Sequence, residues 1–415
     1  MPFNLPEFSP RRFACGVALT VSLAVPALAG AQIPIVDPPP PPPPAPAPAP
    51  APAPTVDAQG ADPAAPNPLA GSKWFVDEEN HAWVQWKRAL RDGRQRDASI
   101  NGTIAVQPKF RWFGRSTRPN PTKKIGDYIA RAEAKGEIPL MATLRHHGIT
   151  CGPTYTGGGP AEDERYRAWY RMLANAIGNH RVVIGYEPDA LGTIDCLKKS
   201  RRDDRVATLR YGIDLLAALP NATVYIEAGA SDWESPKRTA SLLRRIGIHK
   251  VRGFMLNATH YDWTLANIGY GREVSRRTGG KHFIINTSGN GRGPVHYQQW
   301  KSVAAQKRRR GWHRVNVWCN AKMRGLGPTP TTQTHHPLVD AYMWINRPGV
   351  SSGTCNGGKK KTNVGEWFQA RANMWVRYRT NWIRAPRGTR HGHFSKPSLR
   401  KVAGSRAVGP IKRPY

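Results

Sequence analysis

The sequence predicts an α/β fold in which parallel strands curl into one barrel, and three observations carry that reading. Short apolar runs alternate with helix-period segments from Asn67 to about Trp382. A strand followed by a helix returns the chain to the same end of the sheet, so this order implies parallel pairing. A span of about 300 residues suits one barrel better than two small domains. No Gly-x-Gly-x-x-Gly follows the first strand, which disfavours a dinucleotide-binding sheet.

The apolar runs read as strands over Ile138–Leu144, Val182–Tyr186, Thr223–Glu227, Val251–Leu256, His282–Ile285, Val315–Trp318 and Ala341–Ile345. Each is short and rich in β-branched or aromatic residues. Between them, Ile125–Lys135, Asp163–Ile177, Asp204–Ala218, Ser235–Ile246 and Leu265–Thr278 carry apolar residues at helical spacing. No internal repeat is present.

In a parallel α/β barrel the C-terminal strand ends line the active site. Here those ends are polar or aromatic: Arg145-His146-His147, Glu187-Pro188-Asp189, Glu227 with Trp233 following, Asn257, Asn286-Thr287-Ser288 and Trp318-Cys319-Asn320. The stretch RVVIGYEPDALG (181–192) poses the central question, because carboxylates ending a buried strand either cap the next helix or face a cleft. Indole faces stack on sugar rings, while carboxylates and amides hydrogen-bond hydroxyls. Tryptophans beside such groups, with Trp112 upstream, describe a carbohydrate cleft, although some of the fourteen Trp must be core.

The ends are of a different character. Arg11-Arg12 before the apolar run Val17–Leu28, then Pro26-Ala27-Leu28-Ala29, reads as a secretion signal over 1–31. The Arg pair fits an ordinary positive n-region better than a twin-arginine route. A Pro/Ala tract over 32–66 reads as a semi-rigid polyproline II spacer. The folded domain is expected over 67–382 and a basic, disordered tail over 383–415. No other stretch is apolar enough to span a bilayer, so the expectation is a soluble, secreted monomer. Four cysteines besides Cys15 suit disulfides in an oxidising compartment. Net charge is +34, and between Asn356 and Tyr415 the only acid is Glu366. No helix-turn-helix, RRM or zinc-finger pattern accompanies this charge. An anionic cell envelope or a solvated tail therefore explains it better than nucleic acid. No metal or cofactor is implied.

Seven segments, in order, resemble the family 6 glycoside hydrolases, secreted cellulases acting on β-1,4-glucan: IAVQPKFRWFG (104–114), VVIGYEPDALG (182–192), GFMLNATHYDW (253–263), KHFIINTSGNG (281–291), VWCNAKMRGLGPTPTT (317–332), HPLVDAYMWINRPG (336–349) and SGTCNGG (352–358). The resemblance runs from NPLAGSKWFVD (67–77) to about Trp375. It implies a distorted, incompletely closed parallel α/β barrel and an inverting mechanism, in which an acid protonates the leaving oxygen and a base activates water on the opposite face. It makes Asp189 the general acid. Trp112, Trp233, Asn257, Trp318, Asn320 and Asn346 fall at substrate-binding positions, and Thr156 replaces a serine that positions water. Cys151 with Cys196, and Cys319 with Cys355, match the family's disulfides.

The departures from that pattern are chemical. Thr150 stands where the family has an aspartate that poises the acid, Ile149 where it has arginine, and Leu144 where it has a tyrosine. Asn346, Val350 and Ser352 replace a lysine, a glutamate and the proposed base aspartate; Asn286 and Gly289 replace a further aspartate and arginine. Two readings stay open. One is an inverting β-glucan hydrolase in which a displaced carboxylate, Glu227 or Asp232, serves. The other is a catalytically impaired glucan- or wall-binding protein that keeps the groove.

Overall fold

The structure, a computed structural model, describes residues 60–117, 119–146, 158–293, 320–321, 324–353 and 364–384. Seven strands form one sheet in sequence order: β1 Arg111–Gly114, β2 Leu140–Leu144, β3 Val182–Tyr186, β4 Ala222–Glu227, β5 Gly253–Leu256, β6 His282–Asn286 and β7 Val339–Met343. Every neighbouring pair is parallel. The helices are α1 His81–Arg91, α2 Gln95–Ala105, α3 Pro121–Glu133, α4 Pro160–Ile177, α5 Lys199–Ala217, α6 Pro236–Ile246, α7 Thr264–Arg277 and α8 Gln369–Arg377. Among the described residues no helix is long and apolar enough to cross a membrane.

Strand side chains alternate between two buried layers. Leu140, Ala142, Val183, Tyr225, Met255, Ile284, Ala341 and Met343 fill the inside of the curl. Met141, Val182, Ile184, Tyr186, Val224, Ile226, Phe254 and Phe283 pack outward against the helices. Burial on both faces is why these strands read as continuous apolar runs. Space inside the curl is tight. A Cβ on Gly185 would lie 2.8 Å from the sulfur of Met255.

The sheet stops short of closure. β1 and β7 are its two ends, and they meet where the N–H of Phe110 donates to Trp344 O at 3.0 Å. The Trp112 indole adds a bond to Ile345 O at 2.7 Å. A third layer of α1, α2 and α8 covers this seam, burying Ala82, Ile104, Trp344, Ala372 and Trp375 together.

The end of the curl opposite the strand C-termini is sealed by a buried ion pair. Arg252 and Asp340 are both fully buried, with Nε–Oδ2 at 2.8 Å and Nη2–Oδ1 at 2.9 Å. Tyr225 OH (2.7 Å) and His282 Nδ1 (3.0 Å) also bond Asp340. Arg252 Nη1 reaches the carbonyls of Gly60 (3.2 Å) and Ala65 (3.0 Å), and His282 Nε2 reaches Pro63 O. Residues 60–65 are thereby pinned under the barrel. Asp340 occupies the register shift between β6 and β7.

Six of the expected strands meet observed ones to within about two residues. β7 begins two residues before the apolar run suggested, because Asp340 belongs to the strand despite its charge. The expected strand Val315–Trp318 lies outside the described residues. The chain also contains β1, α1, α2 and α8, which the apolar patterning did not announce. β1 is four residues long and starts with an arginine, too short to show a period. α1 is recognisable by its cap: Asn80 Oδ1 accepts from Trp83 N at 3.1 Å.

Candidate active site

Backbone strain marks the C-terminal ends of β3 and β5. Five described non-glycine residues have positive φ; Glu187 (52°), Asp189 (70°) and Asn257 (66°) sit here, and Asn320 (48°) lies against Ser352 and Gly353. Asp and Asn tolerate this region; a glutamate there must be held by its surroundings.

Glu187 is so held. Its carboxylate accepts from Arg145 N (3.0 Å), His146 N (3.1 Å), His146 Nδ1 (2.5 Å) and Tyr170 OH (2.6 Å). Burial pushes its pKa up, but the bonds from His146 and Tyr170 outweigh this and hold it below the ordinary glutamate value. Glu187 is thus an ionised brace joining β2, β3 and α4. His146 Nε2, on the far side of that ring, is buried without a hydrogen-bond partner.

Asp189, two residues on, is half-buried and turned the other way. Its Oδ1 accepts from Thr259 Oγ1 at 2.6 Å. Burial raises its pKa, and the Thr259 bond and the charges of His260 and His146 offset only part of that. Glu227, at the end of β4, is 2 % exposed. Its Oε1 accepts from Gly229 N, and its Oε2 is buried without a partner. Burial, then the charge of Asp189, pushes Glu227 well above the usual carboxylate range. Of these two carboxyls Glu227 therefore holds its proton the longer, while burial is what raises Asp189. A carboxyl raised by burial, as Asp189 is, suits a general acid.

The opposite wall is built from amides and cations. Asn286 Oδ1 accepts from Ser288 N, Ile345 N and Asn346 N at 3.0–3.2 Å, and its Nδ2 donates to Asn257 O at 2.8 Å. An aspartate could accept all three of those bonds but could not make the fourth. Asn346 Oδ1 accepts from Arg347 N at 2.7 Å. Ser352 Oγ accepts from Arg371 Nη1 at 2.9 Å, and its N–H donates to Asn320 Oδ1 at 2.9 Å. Arg371 Nη1 also bonds Asn320 Oδ1, and Asn320 Nδ2 donates to Gly353 O at 2.6 Å. Val350 is buried against the opposing Trp367 strand segment.

The loop after β5 carries a second acidic cluster. His260 Nδ1 bonds Asp232 at 2.7 Å and stacks on Trp233, ring centroids 4.7 Å apart. Asp262 bonds Ser231 Oγ at 2.5 Å and is pushed up to about 7 by burial and the nearby charge of Asp232. Trp233 is buried, with one face on His260 and its edge over Gly192, where a Cβ would lie 2.3 Å from the ring. This explains the glycine that ends the EPDALG stretch. Asn257 donates to Asp262 O (3.2 Å) and Asn286 O (3.0 Å) and accepts from Asp262 N (3.1 Å). It is fully buried and acts as a strut of this loop. Trp112 is half-buried beneath the Arg347 guanidinium, 5.4 Å away.

The expected Thr150, Thr156, Trp318, Cys151, Cys319 and Cys355 lie outside the described residues. Cys196 is described and disulfide-bonded. Sequence reasoning named His146 only as a polar strand end, quoted Thr259 only within a family-like segment, and missed Arg371. Each meets its partner only through the fold.

An open, curled sheet of seven parallel strands, with Asp189 and Glu227 following or ending strands at its C-terminal end, is an incompletely closed α/β barrel. Residues 69–379 match the pattern of Glycosyl hydrolases family 6, and the chain belongs to that family. It is 33 % identical over 306 residues to Endoglucanase A of Cellulomonas fimi, covering 73 % of this chain and 60 % of that protein. It is 30 % identical over 297 residues to Endoglucanase A of Thermobispora bispora, covering 70 % and 60 %. The chain therefore spans about 60 % of the length of these two relatives. Among solved structures, endoglucanase Cel6 from Mycobacterium tuberculosis, bound to a methyl-cellobiosyl-thio-cellobioside, superposes with a TM-score of 0.65 at 32 % identity, covering 75 % of this chain and 99 % of that one.

Proposed function

We propose that the protein is a secreted glycoside hydrolase cleaving β-1,4-glucosidic bonds of glucans with inversion, with Asp189 as general acid. The observation that carries this reading is Asp189 at the mouth of the barrel, half-buried and held by the Thr259 hydroxyl. Asp189 gives its proton to the glycosidic oxygen as the C1–O bond breaks, while water attacks C1 from the opposite face. Burial raises the pKa of Asp189 and so keeps that proton available, the task for which the family uses an aspartate where this chain has Thr150. Water loses its proton to solvent, because Ser352 stands at the base position with its oxygen occupied by Arg371. Loss of a positioned base costs about 10²–10⁴-fold, so turnover is slow.

Trp112, Trp318, Asn320, Asn346 and Thr156 are proposed to hold the sugar chain, and disulfides Cys151–Cys196 and Cys319–Cys355 to pin the loops around it. The basic tail is proposed to hold the enzyme near an anionic cell envelope.

The test is release of reducing ends from soluble β-glucans by the full chain beside Asp189→Asn. Release that vanishes in the variant supports the hydrolase. Absent release with retained oligosaccharide binding favours the second reading, a glucan-binding groove. Ser352 bonded to Arg371, where a base would stand, is the observation on that side.

A further inference from the structure

Arg371 is a buried cation facing neutral acceptors. It is 3 % exposed. Its Nη1 bonds Ser352 Oγ and Asn320 Oδ1, its Nη2 bonds Tyr261 OH at 3.1 Å, and its carbon plane lies over Trp375 at 4.6 Å. Its Nε is buried without a hydrogen-bond partner. No carboxylate forms an ion pair with it among the described residues. The remaining chain cannot supply one from a nearby loop: from residue 60 onward, the stretches outside the described residues contain no Asp or Glu at all.

A second cation stands close by. Arg347 is half-buried over Trp112, also with no ion pair among the described residues. Burial and the charge of Arg371 press its pKa down to about 10. His81 is lowered by burial and by the charges of Arg347 and Arg111. Around these groups the positions that the resemblance fills with acids hold Val350 and Ser352. Buried guanidiniums are normally matched by a carboxylate or phosphate, because an unpaired buried charge is strongly disfavoured. The planar fork of the half-exposed Arg347 fits an oxyanion.

We propose that Arg347 and Arg371, with Ser352 and Asn320, form an anion-binding subsite of the groove, so that the preferred substrate is an acidic β-glucan bearing a carboxylate or sulfate ester on a sugar ring. This rests on the reading of the groove as a glucan site. The half-exposed Arg347 and Ser352 contact the anion, and Arg371 lies behind them as a fixed charge. A neutral glucan leaves that charge unanswered.

The test is binding, followed by tryptophan fluorescence, with the full-length protein at low salt. The probes are cellotetraose, cellotetraose oxidised at C6 to uronates, sulfated cellotetraose, and sodium sulfate alone. The expected result is roughly tenfold or tighter binding of an acidic chain over the neutral one, the worth of one charge-assisted contact. A gain with uronate alone assigns the subsite to carboxylates, and a gain with both assigns it to either oxyanion. Arg347→Gln is expected to bring the acidic-to-neutral ratio close to one. Ser352→Asp, which places a carboxylate on Arg371 and so keeps the fold, is expected to do the same. Equal binding of neutral and acidic chains, or tight binding of sulfate alone with no preference between the chains, overturns the subsite. No binding of any chain, cellotetraose included, overturns the glucan reading beneath it.

Discussion

The hydroxyl of Thr259 donates to Oδ1 of Asp189 at 2.6 Å, so the loop after β5 orients an acid that belongs to β3. The bond favours the ionised carboxyl and lowers its pKa, while burial raises it. Thr259→Val removes the lowering influence. The alkaline limb of kcat/KM is expected to move up by about half to one pH unit, since a hydrogen bond of about 1 kcal/mol is worth close to one unit. A pH–rate profile of the variant checks this; an unmoved limb would show that Asp189 is not the titrating acid.

Glu227→Gln is the control for that shift. Burial and the charge of Asp189 hold Glu227 well above the usual carboxylate range, so it is already neutral where Asp189 titrates, and a neutral amide of the same size leaves the charge around Asp189 unaltered. The alkaline limb of kcat/KM is expected to stay in place. A pH–rate profile checks this; a limb that moves down would show that Glu227 is charged while Asp189 titrates.

Ser352→Asp restores a carboxylate beside Arg371. On neutral cello-oligosaccharides, release of reducing ends is expected to rise by about 10-fold or more, within the range a positioned base contributes. No rise, with the fold intact by circular dichroism, would move the search for the proton acceptor elsewhere.

The sealed end of the barrel predicts a stability effect. Arg252→Met leaves Asp340 buried without its cation and is expected to cost about 3–5 kcal/mol in urea unfolding. The bonds from Arg252, His282 and Tyr225 outweigh burial and depress the pKa of Asp340. Its contribution is therefore complete above the unfolded value of about 4 and is lost as pH falls through the folded one. Wild type should lose stability steeply below about pH 4, and Asp340→Asn should flatten that slope.

The barrel was legible because both faces of its strands are buried, which writes each strand as an apolar run bounded by helix. Asp189 was legible through a contiguous motif. What escaped was assembled across distance. His146 and Glu187 are 41 residues apart, Thr259 and Asp189 are 70 apart, and Arg371 resembled the other arginines of a basic C-terminal region. Its importance lies in being buried, and composition does not reveal burial. Asn257 and Trp233 were read as sugar contacts because the resemblance places them at substrate-binding positions. The fold also uses the amide of one in a loop and a face of the other on His260.

The bonds that Arg252 makes to Gly60 and to Asp340 also fix an order of assembly. Their sequence separations are 192 and 88 residues, so the lock joins the start of the described chain, its middle and its last strand. Contacts of such separation form late, after the long loops between them have been closed. Until β7 is in place Arg252 has no counter-ion, and the bonds from Arg252, Lys281 and His282 to the carbonyls of residues 60–65 lack the carboxylate that anchors Arg252 and His282. An incompletely synthesised chain would therefore stay unlatched, and completion of the seventh strand would set the barrel.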